Sequence, residues 1–135
     1  MFVIIYSFFV SIQYFRNSDL LYEGETPPPK GIKKSEWSKR KHILFKSKSF
    51  GDDEDRVVKK YDGSWTYFMP DIAYHKDKFN RGFNKMINVW GADHSGYISR
   101  VTSAVDAVTK SKSTLEVKVC PVSYTHLTLP TNREV

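Results

Sequence analysis

The stretch KMINVWGADHSGYISRVTSAVDAVTKSKSTLEVKVC, residues 85–120, determines the fold class. It opens with an almost continuous apolar run, which is typical of a strand in a parallel sheet that is covered on both faces. Tyr97, Val101, Ala104 and Val108 then recur at the spacing of one face of an amphipathic helix. The segment TLEVKVC ends the stretch as a second strand. A strand, a helix and a strand within about 35 residues predict a βαβ unit and therefore an α/β fold.

Four residues at the end of the first strand are candidates for a ligand site: Gly91, Ala92, Asp93 and His94. In open α/β sheets, ligands bind outside the carboxyl ends of the strands. Gly91 allows a ligand close to the backbone because it has no side chain, and Asp93 can accept hydrogen bonds from the paired hydroxyls of a ribose. The pattern predicts a nucleotide site. The alternative is that Asp93 caps the following helix and His94 is a satisfied polar residue.

The residues before this unit predict a mixture of short strands and helices. Residues 11–17 are typical of the last turns of a helix, LLYEGE of a short strand, and ILFKSKSFGDD of a further strand. VVKKYDGSWTYF predicts a hairpin with a two-residue turn at its Asp-Gly pair. Pro70 predicts a break, followed by a helix in DIAYHKDKFNRG. Asp71 is a candidate N-cap or first-turn acid of that helix, and Gly82 is a candidate stop.

The positive charge of the chain is concentrated in one segment. The chain carries a formal net charge of +6. Residues 30–60 contain 11 Lys and Arg against 5 Asp and Glu, whereas the rest of the chain contains 10 of each. A basic patch of this kind can meet phosphates, and the alternative is a solvated, lysine-rich surface loop. The acidic run GDDEDR within the segment is expected to be a solvated turn rather than a cation site.

Composition and the first residues argue against several classes of protein. Cys120 is the only cysteine, which excludes an internal disulfide framework, favours a reducing compartment and predicts a buried structural thiol. Asp93 and His94 lack two further ligands at a suitable spacing, so no metal site is predicted. MFVIIYSFFV is about half of the ~20 residues that a membrane-spanning helix needs, and it lacks the features of a signal peptide. We expect no membrane segment there, and instead a buried strand, the start of a helix, or sequence foreign to the domain.

The stretch DGSWTYFMPDIAYHKDKFNRGFNKMINVWGADHSGYISRVTSAVDAV strongly resembles the catalytic domain of bacterial arginyl-tRNA synthetases. The resemblance rests on DGS-aromatic-TYF-x-x-DIAYH-x-DK-x-x-RGF followed by WGADH-x-GY. It also covers LLYEGE, PPPKG and FGDDEDR, so that it runs over residues 11–120. The family is class I, which implies a Rossmann-type domain that activates arginine with ATP and passes it to the 3′ end of its tRNA.

The resemblance also implies an organisation for this chain. Residues 11–120 correspond to part of the catalytic domain, with a basic β-rich insertion at 30–60 and the second part of the Rossmann fold at 61–120. The family's H-x-G-H and K-M-S-K motifs do not occur in this sequence, so we assign no catalytic residue and expect the isolated chain to be inactive. The family further implies a cytoplasmic, monomeric parent enzyme whose ATP is accompanied by Mg²⁺, without a protein-bound metal or a membrane.

Site residues follow from the positions that match the family. Tyr67 and Asp71 match a tyrosine and an aspartate that line the arginine pocket, and a carboxylate is a suitable bidentate acceptor for a guanidinium group. His94 matches a position that contacts substrate when it is glutamine, as in many relatives. The strand end that meets the ribose and adenine of ATP is matched by Gly91, Ala92, Asp93 and His94.

Both edges of the sequence depart from the family. Residues 1–10 match it poorly. Residues 121–135 are PVSYTHLTLPTNREV, whose core resembles translated sequencing-adapter sequence, so we predict a non-native tail. Two functions remain as alternatives to a fragment of an arginine–tRNA ligase. One is a free-standing basic RNA-binding module made from the 30–60 segment, and the other is a different nucleotide-binding α/β enzyme.

Overall fold

Three α-helices and two small sheets form in the part of the chain that the structure, a computed structural model, describes: residues 2–28, 30–35 and 39–121. The predicted non-native tail lies outside these residues from 122 onward. The elements follow one another as α1 (Phe2–Asn17), β1 (Leu21–Glu25), β2 (Lys41–Phe45), β3 (Arg56–Lys59), α2 (Phe68–Asn80), β4 (Lys85–Gly91), α3 (Ile98–Thr109) and β5 (Thr114–Cys120). Two short 3-10 helices, Ser47–Phe50 and Ala92–Tyr97, precede β3 and α3.

The predicted βαβ unit is confirmed. Strands β4 and β5 are parallel neighbours over their whole length, and α3 connects them in the sequence. Val101, Ala104 and Val108 lie on the buried face of α3, where each is at most 2 % exposed. The helix therefore covers one face of the β4–β5 sheet, and the α/β class predicted from residues 85–120 is correct.

The expectation that this sheet is covered on both faces is wrong for the described residues. Side chains alternate between the two faces of a strand, and Met86 of β4 is only 3 % exposed on the helix side. Ile87 and Val89 point the other way and are 52 % and 66 % exposed. The apolar run of β4 thus leaves one face open to solvent in the part of the chain that is described.

The second sheet is antiparallel, and β2 lies between β1 and β3. The strand predicted in LLYEGE is confirmed as β1. The strand predicted in ILFKSKSFGDD ends at Phe45, and the residues that follow form a 3-10 helix instead. The Asp55 side chain competes with strand pairing for a backbone group here, because the Lys48 N–H donates to its carboxylate at 3.0 Å. Gly51, with φ of 105°, then ends the 3-10 helix.

The turn after β3 is longer than the two-residue turn predicted from the sequence. The Lys60 N–H donates to the Ser64 carbonyl at 2.8 Å, which closes a loop of three residues. Of these, Gly63 has a positive φ of 86°, as in the common three-residue hairpin loop. The return strand is reduced to a single bridge between Lys59 and Trp65.

Helix α2 begins before Pro70 rather than after it. Its first residue is Phe68, so Pro70 lies in the first turn, where N–H groups have no acceptor within the helix and a proline is tolerated. Asp71 is confirmed as a first-turn acid. Gly82, with φ of 96°, ends the helix as predicted, with the Phe83 N–H bonded to the Lys78 carbonyl at 3.2 Å.

One apolar core joins the helices to the antiparallel sheet. Helix α1 begins at Phe2, so the apolar residues at the start of the chain are helical. Among the residues that are described, no helix is long and apolar enough to span a membrane. The buried core consists of Phe15, Phe45, Val58, Phe68, Met69, Ile72, Ala104, Ala107 and Val108. It therefore draws on α1, β2, β3, α2 and α3.

The acidic run after the 3-10 helix is a structural connector, not a solvated turn throughout. The Asp52 side chain is fully buried and accepts two hydrogen bonds from Arg56, Nε at 2.8 Å and Nη2 at 3.0 Å. These bonds from Arg56 hold the pKa of Asp52 below its usual value. The Ser99 hydroxyl also donates to Asp52, at 3.4 Å. The run therefore attaches β3 to the start of α3.

Replacement of Asp52 by Asn should destabilise the chain. The variant keeps the shape of the side chain but removes the charge opposite Arg56, so we expect a loss of roughly 1.5–3 kcal/mol in the free energy of unfolding. Urea denaturation at pH 7 measures it. The control is Glu54→Gln, because Glu54 pairs with the same Arg56 at 2.7 Å from an exposed position, where a pair contributes about 0–1 kcal/mol. Equal losses in the two variants would contradict the structural role of Asp52.

Candidate functional site

The residues after β4 form an exposed turn at the carboxyl end of the strand. Gly91 ends β4 in an extended conformation, and the 3-10 helix Ala92–Tyr97 follows. The side chains of Asp93 and His94 are 55 % and 65 % exposed, and Asp93 Oδ2 lies 3.6 Å from His94 Nε2. No side chain caps the 3-10 helix or α3, so the alternative in which Asp93 is an N-cap is not supported. These side chains are available to a ligand.

Tyr67 and Asp71 lie one turn apart at the start of α2. Tyr67 immediately precedes the helix, and its side chain is almost free of contacts, with 92 % of its surface exposed. Asp71 is half-buried in the first turn, and its N–H lies 3.4 Å from the Tyr67 carbonyl. An exposed aromatic ring and a carboxylate are thus presented at the same end of one helix.

Tyr97 joins the start of α2 to the end of β4. Its hydroxyl donates to Asp71 Oδ2 at 3.1 Å, and its ring contacts Phe68 with centroids 6.3 Å apart and Trp90 with centroids 5.8 Å apart. Burial, followed by the negative charge of Asp71, raises the pKa of Tyr97 to about 12. Trp90 precedes and Tyr97 follows the strand-end turn of residues 91–94, so Tyr97 connects this part of the chain to Asp71.

Sequence reasoning missed Tyr97 as a site residue and placed it only on the apolar face of α3. The structure gives it a polar role as well, because a tyrosine has an apolar ring and a hydroxyl that seeks a partner. A signal was available in the sequence, since Tyr97 is the last residue of the WGADH-x-GY motif. The partner, however, could not be read from the sequence.

An open cleft of about 940 Å³ lies beside this group of residues. Tyr67, Phe68 and Tyr97 line the cleft together with Tyr22 of the antiparallel sheet. Arg100 also lines the cleft, with its guanidinium carbon 4.7 Å from the centre of the Tyr97 ring. Asp71 and the residues from Gly91 to His94 are not among those lining the cleft. The structure therefore brings Tyr67, Asp71 and Tyr97 together at the start of α2, and the strand-end turn precedes Tyr97 in the same 3-10 helix.

Comparisons with known proteins give one consistent family. No family model matches the chain. The arginine–tRNA ligase of Parvibaculum lavamentivorans is 52% identical over 110 residues, which are 82% of this chain and 19% of that protein. The ligase of Xanthobacter autotrophicus is 55% identical over 109 residues, again 19% of that protein. This chain is homologous to part of the arginine–tRNA ligases. It spans about a fifth of the length of the curated relatives that it matches.

A solved structure agrees with the sequence relatives. A crystal structure described as an arginyl tRNA synthetase from Campylobacter jejuni superimposes with a TM-score of 0.63 at 32% identity. The match covers 86% of this chain and 22% of that chain. The resemblance to arginyl-tRNA synthetases noted in the sequence is confirmed, and the fold of the described residues is that of a portion of such a protein.

The two alternative functions are not favoured. The relatives named above are arginine–tRNA ligases, and the solved structure is described as an arginyl tRNA synthetase, so neither comparison points to another nucleotide-binding enzyme. The basic 30–60 segment also depends on the rest of the chain. Phe45 and Val58, which belong to it, are fully buried in the common core, and β2 pairs with β1 outside the segment. A free-standing module would lose both kinds of contact.

Two further expectations concern cysteine and metal. Cys120 is exposed at the end of β5, so the prediction of a buried thiol is wrong. Strand β5 ends at the rim of a sheet with an open face, and its last residues therefore lack cover. Within the ranges that are described, no group of three or more His, Cys, Asp and Glu side chains could hold a metal ion.

His75 fixes α2 against β4 one turn after Asp71. It is 4 % exposed, and its Nδ1 lies 2.7 Å from the Asp71 carbonyl while its Nε2 lies 2.9 Å from Asn88 Nδ2. A carbonyl only accepts, so Nδ1 carries the proton and Nε2 accepts from the Asn88 amide. This arrangement suits a neutral imidazole. Burial is the main cause that lowers the pKa of His75, and Lys78 adds to it.

The chain should lose stability as the pH falls below about 6.5, the ordinary pKa of an unfolded histidine. Since the pKa of His75 is lowered in the fold, the unfolded chain binds more protons in this range, and acid favours unfolding. Urea denaturation at pH 8 and pH 5.5 measures the change. It should shrink in His75→Gln and persist in His94→Gln, because His94 is exposed. If His75→Gln retains the full pH dependence, another group causes it.

Proposed function

We propose that this chain is the part of an arginine–tRNA ligase that holds arginine and the nucleotide of ATP. The observation that carries the proposal is the Asp71 carboxylate at the start of α2, fixed by the Tyr97 hydroxyl at 3.1 Å and next to the exposed ring of Tyr67. The residues that surround it belong to a segment 52% identical to known arginine–tRNA ligases. The whole enzyme would activate arginine with ATP and transfer it to tRNA.

The arginine site in this proposal consists of Tyr67, Asp71 and His94. A carboxylate has two oxygens with about four acceptor positions, and Tyr97 occupies one of them on Oδ2. The remaining positions suit the parallel N–H groups of a guanidinium. The exposed face of the Tyr67 ring can stack on the same planar cation, and His94 supplies a polar contact from the strand-end turn.

The ATP site in this proposal is the strand-end turn of Gly91, Ala92, Asp93 and His94. The Asp93 carboxylate is exposed and can accept hydrogen bonds from both ribose hydroxyls. Gly91 allows the nucleotide close to the backbone. Mg²⁺ would arrive with the ATP phosphates, since it is usually held by phosphates and water together with few protein groups. No residue of this chain is assigned a catalytic role.

The organisation proposed for the parent enzyme extends the observed fold. The β4–α3–β5 unit would belong to a larger Rossmann-type sheet, as the second part of that fold within residues 61–120. The exposed Ile87 and Val89 support this, because an apolar strand face is normally covered in such a sheet. Residues 30–60 would be a basic insertion, and residues 1–10 and 121–135 would lie outside the family's domain. The parent is expected to be a monomer in the cytoplasm.

Asp71→Asn separates the proposed arginine site from a helix-end role. The test enzyme is a full-length chimera, in which the matching stretch of this chain replaces the 110-residue segment of the Parvibaculum lavamentivorans ligase. Asn is almost as good as Asp at a helix start, but it loses the charged contact to a guanidinium, about 1.5–3 kcal/mol. We expect the kcat/KM for arginine to fall by ~10- to 200-fold, as measured by pyrophosphate exchange.

The matched control for this experiment is Asp77→Asn on the same helix. Asp77 pairs with Arg81 at 3.0 Å, near the other end of α2, and its loss should leave the KM for arginine unchanged. If Asp71→Asn behaves like this control, Asp71 only stabilises its helix and the proposed arginine site is wrong.

The isolated 135-residue chain should show no arginine-dependent pyrophosphate exchange. The H-x-G-H and K-M-S-K motifs, which the family uses to stabilise the charge that develops on the phosphates, are absent from this sequence. Removal of one such electrostatic donor costs about 10²–10³ in rate, so loss of both should leave no signal above background. Exchange above a no-enzyme blank, at a rate proportional to the purified chain, would contradict this expectation.

A further inference from the structure

We propose that Tyr97 is a positioning residue, whose hydroxyl holds the Asp71 carboxylate in the orientation that receives the guanidinium of the substrate. The inference rests on the proposed function and adds a residue to which no role in this site has been assigned. Its basis is the hydrogen bond from the Tyr97 hydroxyl to Asp71 Oδ2, which is 3.1 Å long. The bond crosses between two elements, from the last residue of the 3-10 helix after β4 to the first turn of α2.

The bond to Oδ2 restricts the rotation of the Asp71 carboxylate, which is the group that would receive the guanidinium. A free aspartate rotates about its terminal torsion with little preference, because that torsion is broad. A donor fixed to Oδ2 removes this freedom and leaves Oδ1 with the second Oδ2 lone pair for a ligand. A guanidinium presents its N–H groups in a rigid planar fork. An acceptor whose plane is already set therefore binds this fork at a smaller entropic cost.

Tyr97 can fix its partner because its own ring is held from three directions. Phe68 of α2 contacts it edge-on, with planes at 87°, and Trp90 of β4 contacts it with planes at 56°. The guanidinium of Arg100 in α3 lies over the ring, 4.7 Å from its centre. Each contact comes from a different element, so the hydroxyl has a defined position. The hydroxyl is protonated at neutral pH and able to donate, since the ordinary pKa of a tyrosine is about 10 and the pKa of Tyr97 is raised further, to about 12.

A purely structural role for Tyr97 makes a different prediction. If the ring alone matters, Phe at this position preserves the ring contacts with Phe68 and Trp90 and the ring face under Arg100, and it has little effect on substrate binding. If the hydroxyl positions Asp71, Phe leaves the fold in place and frees the carboxylate. The KM for arginine therefore distinguishes the two roles, whereas a measurement of stability does not.

The experiment uses Tyr97→Phe in the full-length chimera described above, with pyrophosphate exchange as the assay. We expect the KM for arginine to rise about 3- to 10-fold, in line with the net contribution of one typical intramolecular hydrogen bond, because the charged carboxylate itself remains for the substrate. The KM for ATP should not change. The control is Tyr74→Phe on the outer face of α2, where the tyrosine is 56 % exposed, and it should leave both KM values unchanged.

The test remains valid even if the variant is less stable, because its readout is the KM for arginine. Partial unfolding reduces the concentration of active enzyme and hence the apparent kcat, whereas KM reports only on the molecules that remain folded. A lower kcat with an unchanged KM for arginine in Tyr97→Phe would therefore overturn the inference. A rise in the KM for ATP equal to that for arginine would overturn it as well, since it would indicate a general distortion of the site.

A double-mutant cycle shows whether Tyr97 acts through Asp71. In an Asp71→Asn background, the effect of Tyr97→Phe on the KM for arginine should fall to less than 2-fold, because the carboxylate it positions is gone. The same fold-change in both backgrounds would overturn the inference. If Asp71→Asn itself leaves the KM for arginine unchanged, the proposed arginine site falls and the inference with it. An effect of Asp71→Asn without one of Tyr97→Phe overturns the positioning role alone.

Discussion

Phe45 packs edge-to-face against Phe15 on one side and Phe68 on the other, with ring centroids 6.2 and 6.0 Å apart. Phe68 in turn contacts Tyr97. These four rings belong to α1, β2, α2 and the turn after β4, so one row of aromatic contacts passes through most of the layers of the molecule. Protein interiors are close-packed and transmit displacement. The position of Asp71, which bonds to the last ring of the row, therefore depends on residues far from the site.

The candidate site lies at the end of this row of rings, where the Tyr97 hydroxyl bonds to Asp71. Asp71 is held there twice: its carbonyl accepts from His75, and its carboxylate accepts from Tyr97. The first bond fixes the backbone of the helix turn against β4, because His75 also bonds to Asn88. The second fixes the side chain. Tyr67, by contrast, is almost fully exposed, so a rigid acceptor and an adaptable ring lie within one turn of the same helix.

Local patterns predict the parts of the fold that local sequence controls. The βαβ unit is recognisable because α3 shows one apolar face and lies between the apolar run of β4 and the alternating sequence of β5. The same reasoning overestimates the cover of β4, since an apolar run shows what a strand can bury and not what is present to cover it. The Asp55 bond to Lys48 overrides an alternating pattern. The bond from Tyr97 to Asp71 joins residues 26 positions apart, and no short-range pattern encodes it.

Strands β4 and β5 form a two-stranded sheet in the part of the chain that is described, and each is therefore an edge strand. Edge strands offer backbone groups to which a strand of another molecule can add. Ile87 and Val89 add an exposed apolar face, whose neighbours Lys85, Glu116 and Lys118 form ion pairs at 3.9 and 2.6 Å. Charge on and around this face opposes aggregation, and salt screens it. Copies of the chain are therefore expected to associate through this face more readily as the ionic strength rises.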